Sequence, residues 1–239
     1  HHSSPGYDRL RSDHTINQEN AMTAIIFDTE TTGTDEPQII EAAWLRLDSP
    51  AALNVTEQFE QRYRPDTRIA LGALATHHIY DEELTGCPPH TDFKLPADVQ
   101  YIIGHNVDYD WKVAGQPNVK RICTLALSRS LYPDADSHSQ SAMIYLIDRP
   151  NARNLLHAAH SALADVQNCR LLLAHLISRA GPVSDWEALW RLSEQARIPK
   201  IMSFGKHKGM AITDIPADYK AWLLRQPDVD PYLQAALRA

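Results

Sequence analysis

Phe27-Asp28-Thr29-Glu30-Thr31-Thr32-Gly33 is the stretch on which the reading of this chain turns. It closes an isoleucine-rich apolar run, Thr23 to Asp28, that reads as a β-strand. Side chains along a strand alternate with period two, so Asp28 and Glu30 project from the same face at the strand's end. Two carboxylates that close raise each other's pKa and resist ionising together, a conflict that divalent cations resolve by taking hard oxygen ligands. Thr31, Thr32 and Gly33 then offer hydroxyls and a residue without a Cβ, where a ligand can approach the backbone. An Asp-x-Glu pair alone reads equally well as a solvated turn, so the remainder of the chain has to decide.

Working outward, Gln38 to Leu47 is a second extended run and Val55 to Arg64 a third, the latter alternating Val55, Glu57 and Phe59 against Thr56, Gln58 and Glu60. Gln100 to Gly104 predicts a fourth strand, followed by a helix from about Val107, and Val119 to Cys123 a fifth before a helical Leu125 to Leu131. From Ala152 to Arg179 apolar residues recur with helical spacing, and Gly181-Pro182 ends that segment. Asp185 to Ala196 reads as a linker helix, Ile198 to Lys208 as a basic loop or short strand, and Tyr219 to Leu224 and Pro231 to Arg238 as short helices. Strands followed by helices imply an α/β fold, with residues 21–182 as the main domain, 183–198 as a linker and 199–239 as a small C-terminal module. Residues 1–20, opening His1-His2-Ser3-Ser4, have no signal-peptide core and read as an expression-tag remnant.

The bulk properties narrow the class. No run approaches the roughly 18 apolar residues of a membrane span, so no membrane partner is expected. Three cysteines, Cys87, Cys123 and Cys169, form no close pair and suit reduced thiols in the cytoplasm better than a disulfide framework. A net charge of −7 argues against extensive coating of a nucleic-acid duplex. It remains compatible with an enzyme that grips a strand end and lets metal ions neutralise the phosphate under attack.

Two further elements carry candidate ligands. In Gly104-His105-Asn106-Val107-Asp108-Tyr109-Asp110 a strand ends, Asn106 is placed to cap a helix, and Asp110 lies in its first turns. Asp108 lies about 200° around an ideal helix from Asp110, so only one of them can face the site, and Asp108 is the better candidate for an exposed charge. In His160-Ser161-Ala162-Leu163-Ala164-Asp165, His and Asp would stand about 140° apart on a single helix. If Ser161 caps a new helix, His160 sits in the loop before it and Asp165 one turn inside, and both can converge on metals. Each of these elements, met alone, also reads as a surface charge near a helix start.

Taken together, Asp28 and Glu30, then His105-Asn106 with Asp110, then His160 with Asp165, resemble in order and spacing the three motifs of the DEDDh (DnaQ-like) exonuclease superfamily. Arg64-Pro65 and Ala75-Thr76-His77-His78-Ile79 look like the inter-motif segment of its proofreading and exodeoxyribonuclease X branches. The tail, Ser203-Phe204-Gly205-Lys206-His207-Lys208-Gly209-Met210 with Asp218-Tyr219-Lys220-Ala221-Trp222-Leu223, resembles the module that follows the nuclease domain in the exodeoxyribonuclease X branch.

The resemblance implies an RNase H-like mixed five-stranded sheet flanked by helices. It implies 3′-to-5′ exodeoxyribonuclease activity in DNA repair or proofreading, releasing nucleoside 5′-monophosphates. Asp28, Glu30, Asp110 and Asp165 would hold two Mg²⁺ ions about 4 Å apart, with Mn²⁺ as substitute, and His160 would be the general base. Thr31, Thr32, Gly33, His105 and Asn106 would meet or position the terminal nucleotide. The expected partners are DNA 3′ ends, single-stranded or frayed. Lys206 and Lys208 in the tail are candidates to hold backbone phosphates, and the module could instead dock a protein. An RNA-trimming enzyme of the same chemistry and a non-catalytic nucleic-acid-binding module are the competing readings.

Overall fold

The computed structural model describes residues 22–239, so the expected tag remnant at 1–20 lies outside the described residues. Three strands in succession, β1 (Ala24–Thr31), β2 (Ile39–Leu47) and β3 (Val55–Arg62), form an antiparallel meander. Helix α1 (Leu71–His77) follows, then β4 (Tyr101–Gly104), which pairs parallel to β1, and β5 (Lys120–Cys123), parallel to β4. The sheet order is β3-β2-β1-β4-β5, the mixed five-stranded sheet expected from sequence. The chain changes direction of travel across the sheet between β1 and β4, and crevices at the carboxyl ends of strands beside such a switch are where α/β folds bind ligands. Asp28 and Glu30 lie at that end of β1.

Helices cover both faces. Between β4 and β5 runs α2 (Val107–Val113), and after β5 come α3 (Thr124–Leu131), α4 (Gln140–Ile147), α5 (Arg149–Leu155) and the long α6 (Ala162–Ala180). Ala24 and Ile26 of β1 pack with Ala43 and Leu45 of β2 against Val166, Leu172, Leu173 and Leu176 of α6. Ile25 and Phe27 point the other way, into a core with Trp44, Ile102 and Val107. Leu172, Leu173 and Leu176 are fully buried, each contributing roughly 1.5–3 kcal/mol by leaving water. This alternation fixes the site: Asp28 and Glu30 continue the Ala24–Ile26 face, so they point toward α6. Gly104 ends β4 where a Cβ would stand 3.2 Å from the Phe27 carbonyl oxygen, so a side chain there would push β4 off β1.

Two helices, α1 and α4, were not among the expected elements, and the long apolar stretch after Ala152 divides into α5 and α6 with a loop around His160. Helix α7 (Trp186–Arg197), expected as a linker, packs on the nuclease core through the buried Trp186 and Leu189, and its Ser193 hydroxyl accepts the Cys123 amide at 2.8 Å. Beyond it, Met202, Ile212 and Ile215 form a separate small core with Leu223 of α8 (Ala217–Leu224) and Leu233, Ala236 and Leu237 of α9 (Pro231–Arg238). The Tyr232 hydroxyl donates to Glu194 at 3.0 Å and its ring carries the Arg197 guanidinium at 4.3 Å, which seats this unit on α7. We propose the division into a nuclease domain at 21–182, a connecting helix at 183–198 and a small module at 199–239; the separate core supports the module, while the connecting helix packs into the nuclease core. Among the described residues no helix is long and apolar enough to cross a membrane.

Candidate active site

Carboxylate oxygens of Asp28, Glu30 and Asp165 lie within 4.8 Å of one another. Asp28 and Glu30 come from one face of β1, and Asp165 from the first turn of α6. Helix α6 starts there because Ser161, extended at φ −105°, turns its hydroxyl back to accept the Ala164 amide at 3.3 Å. The capping expected of Ser161 thus sets Asp165 one turn inside the helix and leaves His160 in the preceding loop. The His160 amide donates to both oxygens of Asp165, each at 3.2 Å, and the residue itself is exposed.

Asp110 arrives from α2, on the other side of the sheet. Its Oδ1 accepts the Thr29 amide at 2.9 Å and the Thr29 hydroxyl at 2.7 Å, which pins this buried carboxylate to the strand between Asp28 and Glu30. Asp108, two residues earlier, faces away and pairs with Arg121 at 2.6 Å and with Arg197, as the helical arithmetic requires. Asn106 stands at the helix start with left-handed backbone (φ 67°), but its side chain makes no capping bond, which departs from the expected cap.

The site's electrostatics are those of crowded acids without a counter-charge. Burial, then the charges of Asp110, Asp165, Glu30 and Glu41, hold the Asp28 carboxyl well above its ordinary range. Burial, then Asp165, Glu41 and Asp110, push Glu30 up to about 9. Burial lifts Asp110 to about 7 against the pull of the Thr29 bonds, and burial also raises Asp165. Oδ2 of Asp28 is buried and has no hydrogen-bond partner among the described residues. A buried acceptor without a donor, ringed by carboxylates each of which burial disfavours as an anion, fits a divalent cation with oxygen ligands.

The neighbouring polar residues brace this cluster. The Thr31 and Tyr109 hydroxyls lie 2.7 Å apart and each 3.0 Å from the Gly33 carbonyl, so one of them donates to that carbonyl while the other donates to its neighbouring hydroxyl. The Thr32 hydroxyl accepts the Gln38 amide at 3.0 Å. His105 donates Nε2–H to the His138 carbonyl at 2.7 Å and bonds Thr124 through Nδ1 at 2.9 Å. Burial pushes His105 down to about 4, so it is a neutral strut under the β4–α2 turn.

Two contributors escaped the sequence reading. Glu41 of β2 sits directly opposite Glu30 in the register and is almost fully buried, accepting the Ala162 amide at 2.9 Å and pairing with Arg62 at 2.9 Å. It therefore ties the start of α6 to the sheet. The available signal was an acid inside an otherwise apolar run, Ile39-Ile40-Glu41-Ala42-Ala43, because a charge in a buried strand requires partners. His77, at the end of α1, accepts the Ile79 amide on Nδ1 at 3.0 Å, which leaves Nε2–H to donate to the Thr31 carbonyl at 3.1 Å.

An RNase H-like sheet carrying an acidic cation site at its switch point defines a metal-dependent nuclease. Residues 25–173 match the RNase_T exonuclease family, and the chain belongs to that family, the DEDDh-type 3′-to-5′ exonucleases. It is 28% identical over 227 residues to Exodeoxyribonuclease 10 of Escherichia coli strain K12, across 89% of this chain and 96% of that protein. A structure of exonuclease X in complex with 5′ overhanging duplex DNA superposes with a TM-score of 0.57 at 23% identity, covering 71% of this chain and 99% of that one. An E. coli exonuclease I–single-stranded DNA complex with zinc superposes with a TM-score of 0.54 at 20% identity, covering 76% of this chain and 44% of that one.

Proposed function

We propose that the chain is a 3′-to-5′ exodeoxyribonuclease that trims DNA strand ends in repair or proofreading. The observation that carries the catalytic reading is the meeting of Asp28, Glu30 and Asp165 around the partnerless Asp28 oxygen. The similarity to an exodeoxyribonuclease, which spans 89% of this chain and 96% of that protein, supports DNA as the polymer. Asp28, Glu30 and Asp165, with Asp110 beside them, would hold the metal. Bound there, two Mg²⁺ ions, or Mn²⁺ in their place, would supply an acidified water and charge neutralisation at the leaving 3′ oxygen. His160, exposed and tethered to Asp165 only through its amide, takes the proton of the attacking water, and the product is a nucleoside 5′-monophosphate.

The braced Thr31-Thr32-Gly33 turn receives the terminal nucleotide, with His105 and Asn106 holding the β4 edge beside it. The exposed Thr34-Asp35-Glu36 that follows is acidic and carries no apolar wedge, which favours single-stranded or frayed 3′ ends over intact duplex termini. The three free cysteines, two of them buried, support a reducing compartment such as the cytoplasm.

The test is a gel of 5′-labelled single-stranded DNA beside RNA of the same sequence. The reading expects a stepwise ladder on DNA with magnesium, silence with EDTA, and loss of the ladder in Asp28→Ala and His160→Ala. Preferential trimming of the RNA would transfer the chain to the exoribonuclease reading, and no trimming of either polymer would leave it a binding module.

A further inference from the structure

The small C-terminal module is charged unlike the rest of the chain. Residues 199–239 contain four lysines and two arginines against four aspartates and no glutamate, while the whole chain carries −7. Three of those lysines surround one turn. Lys200-to-Met202 and Met210-to-Ile212 run side by side, joined by an isolated antiparallel bridge between Ile201 and Ala211 and by the Met202 amide bonding the Met210 carbonyl at 2.9 Å. The loop they support, Ser203 to Gly209, is built on two glycines with left-handed backbone, Gly205 (φ 72°) and Gly209 (φ 86°). A Cβ on Gly205 would come within 2.9 Å of the Tyr219 hydroxyl. The turn therefore rests on α8, and only glycine lets it close that far.

This contact brings exposed aromatics and cations together. His207 meets the Tyr219 ring edge-on at 4.5 Å, and Tyr219 lies 5.4 Å from Trp222. Phe204, at the head of the turn, is 47% exposed and Trp222 46% exposed, although the module has an apolar core they could have entered. Lys206 and Lys208 are exposed on the turn, and Lys220 lies between Tyr219 and Trp222 on α8. Among the described residues none of these lysines forms an ion pair, although Asp214 and Asp218 lie in the same module. Unpaired ammonium groups interleaved with exposed rings match the phosphates and bases of a flexible single strand, whose backbone supplies the opposite charge and whose bases supply stacking faces.

We propose that the Phe204–Met210 turn and the exposed face of α8 form a second nucleic-acid contact, gripping a single-stranded stretch through Lys206, Lys208 and Lys220 with stacking on Phe204 and Trp222. The proposal rests on the reading of the substrate as a nucleic-acid strand, and its occupant is a strand rather than a protein because the cations are free and the exposed rings stand among them. Such a grip retains the strand between cuts, so its loss converts successive trimming into release after each nucleotide.

The experiment uses the full chain. Fluorescence anisotropy with a labelled oligothymidylate in EDTA, across a salt series, measures strand binding without cleavage. Hydrolysis of bis(p-nitrophenyl) phosphate with magnesium measures the nuclease site on a substrate too small to span both places. The triple variant K206Q/K208Q/K220Q is expected to flatten the plot of log affinity against log salt by about 2, at roughly 0.7 per lost phosphate contact. Phe204→Ala and Trp222→Ala are each expected to weaken binding by roughly 5- to 150-fold, the loss of one stacked base. All variants should hydrolyse the small ester like the parent, and Phe204→Ala, on a loop, serves if Trp222→Ala fails to fold. Parental affinity and salt slope in the variants overturn the second contact, even if the chain trims DNA. A parent that binds the strand through these residues but hydrolyses neither ester nor oligonucleotide would refute the catalytic reading and leave the contact standing.

Discussion

Replacing Glu30 by glutamine should make the metal-free protein more stable while destroying its activity. Glu30 is 9% exposed, and its carboxyl is pushed from an ordinary value of 4.5 to about 9. A raised acid favours the fold below its unfolded pKa and loses that contribution as pH rises toward its folded pKa. Between pH 4.5 and 7 the unfolded chain releases a proton that the folded chain keeps, and each pH unit of that interval costs the folded state about 1.4 kcal/mol. By pH 7 the parent has lost about 3 kcal/mol that the glutamine variant retains. For a chain of this size that is a rise in melting temperature of roughly 6–12 °C. Urea or thermal unfolding in EDTA at pH 5, 7 and 8 measures it: the two proteins should nearly coincide at pH 5 and diverge as pH rises. With saturating magnesium the parent should recover the difference, since ligand that binds only the native state stabilises it. A glutamine variant no more stable than the parent in EDTA at pH 7, or a gain that ignores pH, would refute the picture of a desolvated acid cluster awaiting a cation.

Three other outcomes follow from the geometry. His160→Ala should lower the turnover rate by roughly 10²–10⁴-fold, the usual contribution of a general base, with an unchanged urea midpoint because the residue is exposed. Glu41→Ala leaves the buried Ala162 amide without an acceptor, which should cost about 1–3 kcal/mol in urea unfolding and slow trimming by displacing the start of α6. Leu172→Ala, in the fully buried face of α6, should cost roughly 2–5 kcal/mol and is read from the same unfolding curves.

The sheet was legible because its strands are apolar runs bounded by polar turns, and all five appear within a residue or two of their expected limits, except that β1 continues through Thr31. That extension matters, since it places Asp28 and Glu30 on a strand rather than in a turn. Helix α1 went unseen because Leu71–His77 is short and exposed, with only His77 buried. The loop dividing α5 from α6 was indicated by the capping argument at Ser161 and by nothing in the hydrophobic pattern. Asp110 could be placed near the site by its offset from Asp108, but its attachment to Thr29 could not, because that bond joins residues 81 apart in sequence. Glu41 betrayed itself only as an acid within an apolar strand, with nothing in the sequence to name its partners, and His77 acts through a backbone amide and a carbonyl, contacts that leave no side-chain pattern to read.

His160 adopts φ 68°, a left-handed conformation that residues with a Cβ enter only against a steric cost and glycine enters freely. The position thus carries two demands of opposite sense: the imidazole argues for histidine and the backbone for glycine. His160→Gly and His160→Ala remove the same ring, but alanine keeps the Cβ and with it the backbone cost that histidine already bears, whereas glycine sheds that cost, so glycine should hold the amide on Asp165 at least as well as the parent does. The glycine form would be a silent enzyme with an intact metal cradle, suited to trapping a strand uncut in the site for crystallisation.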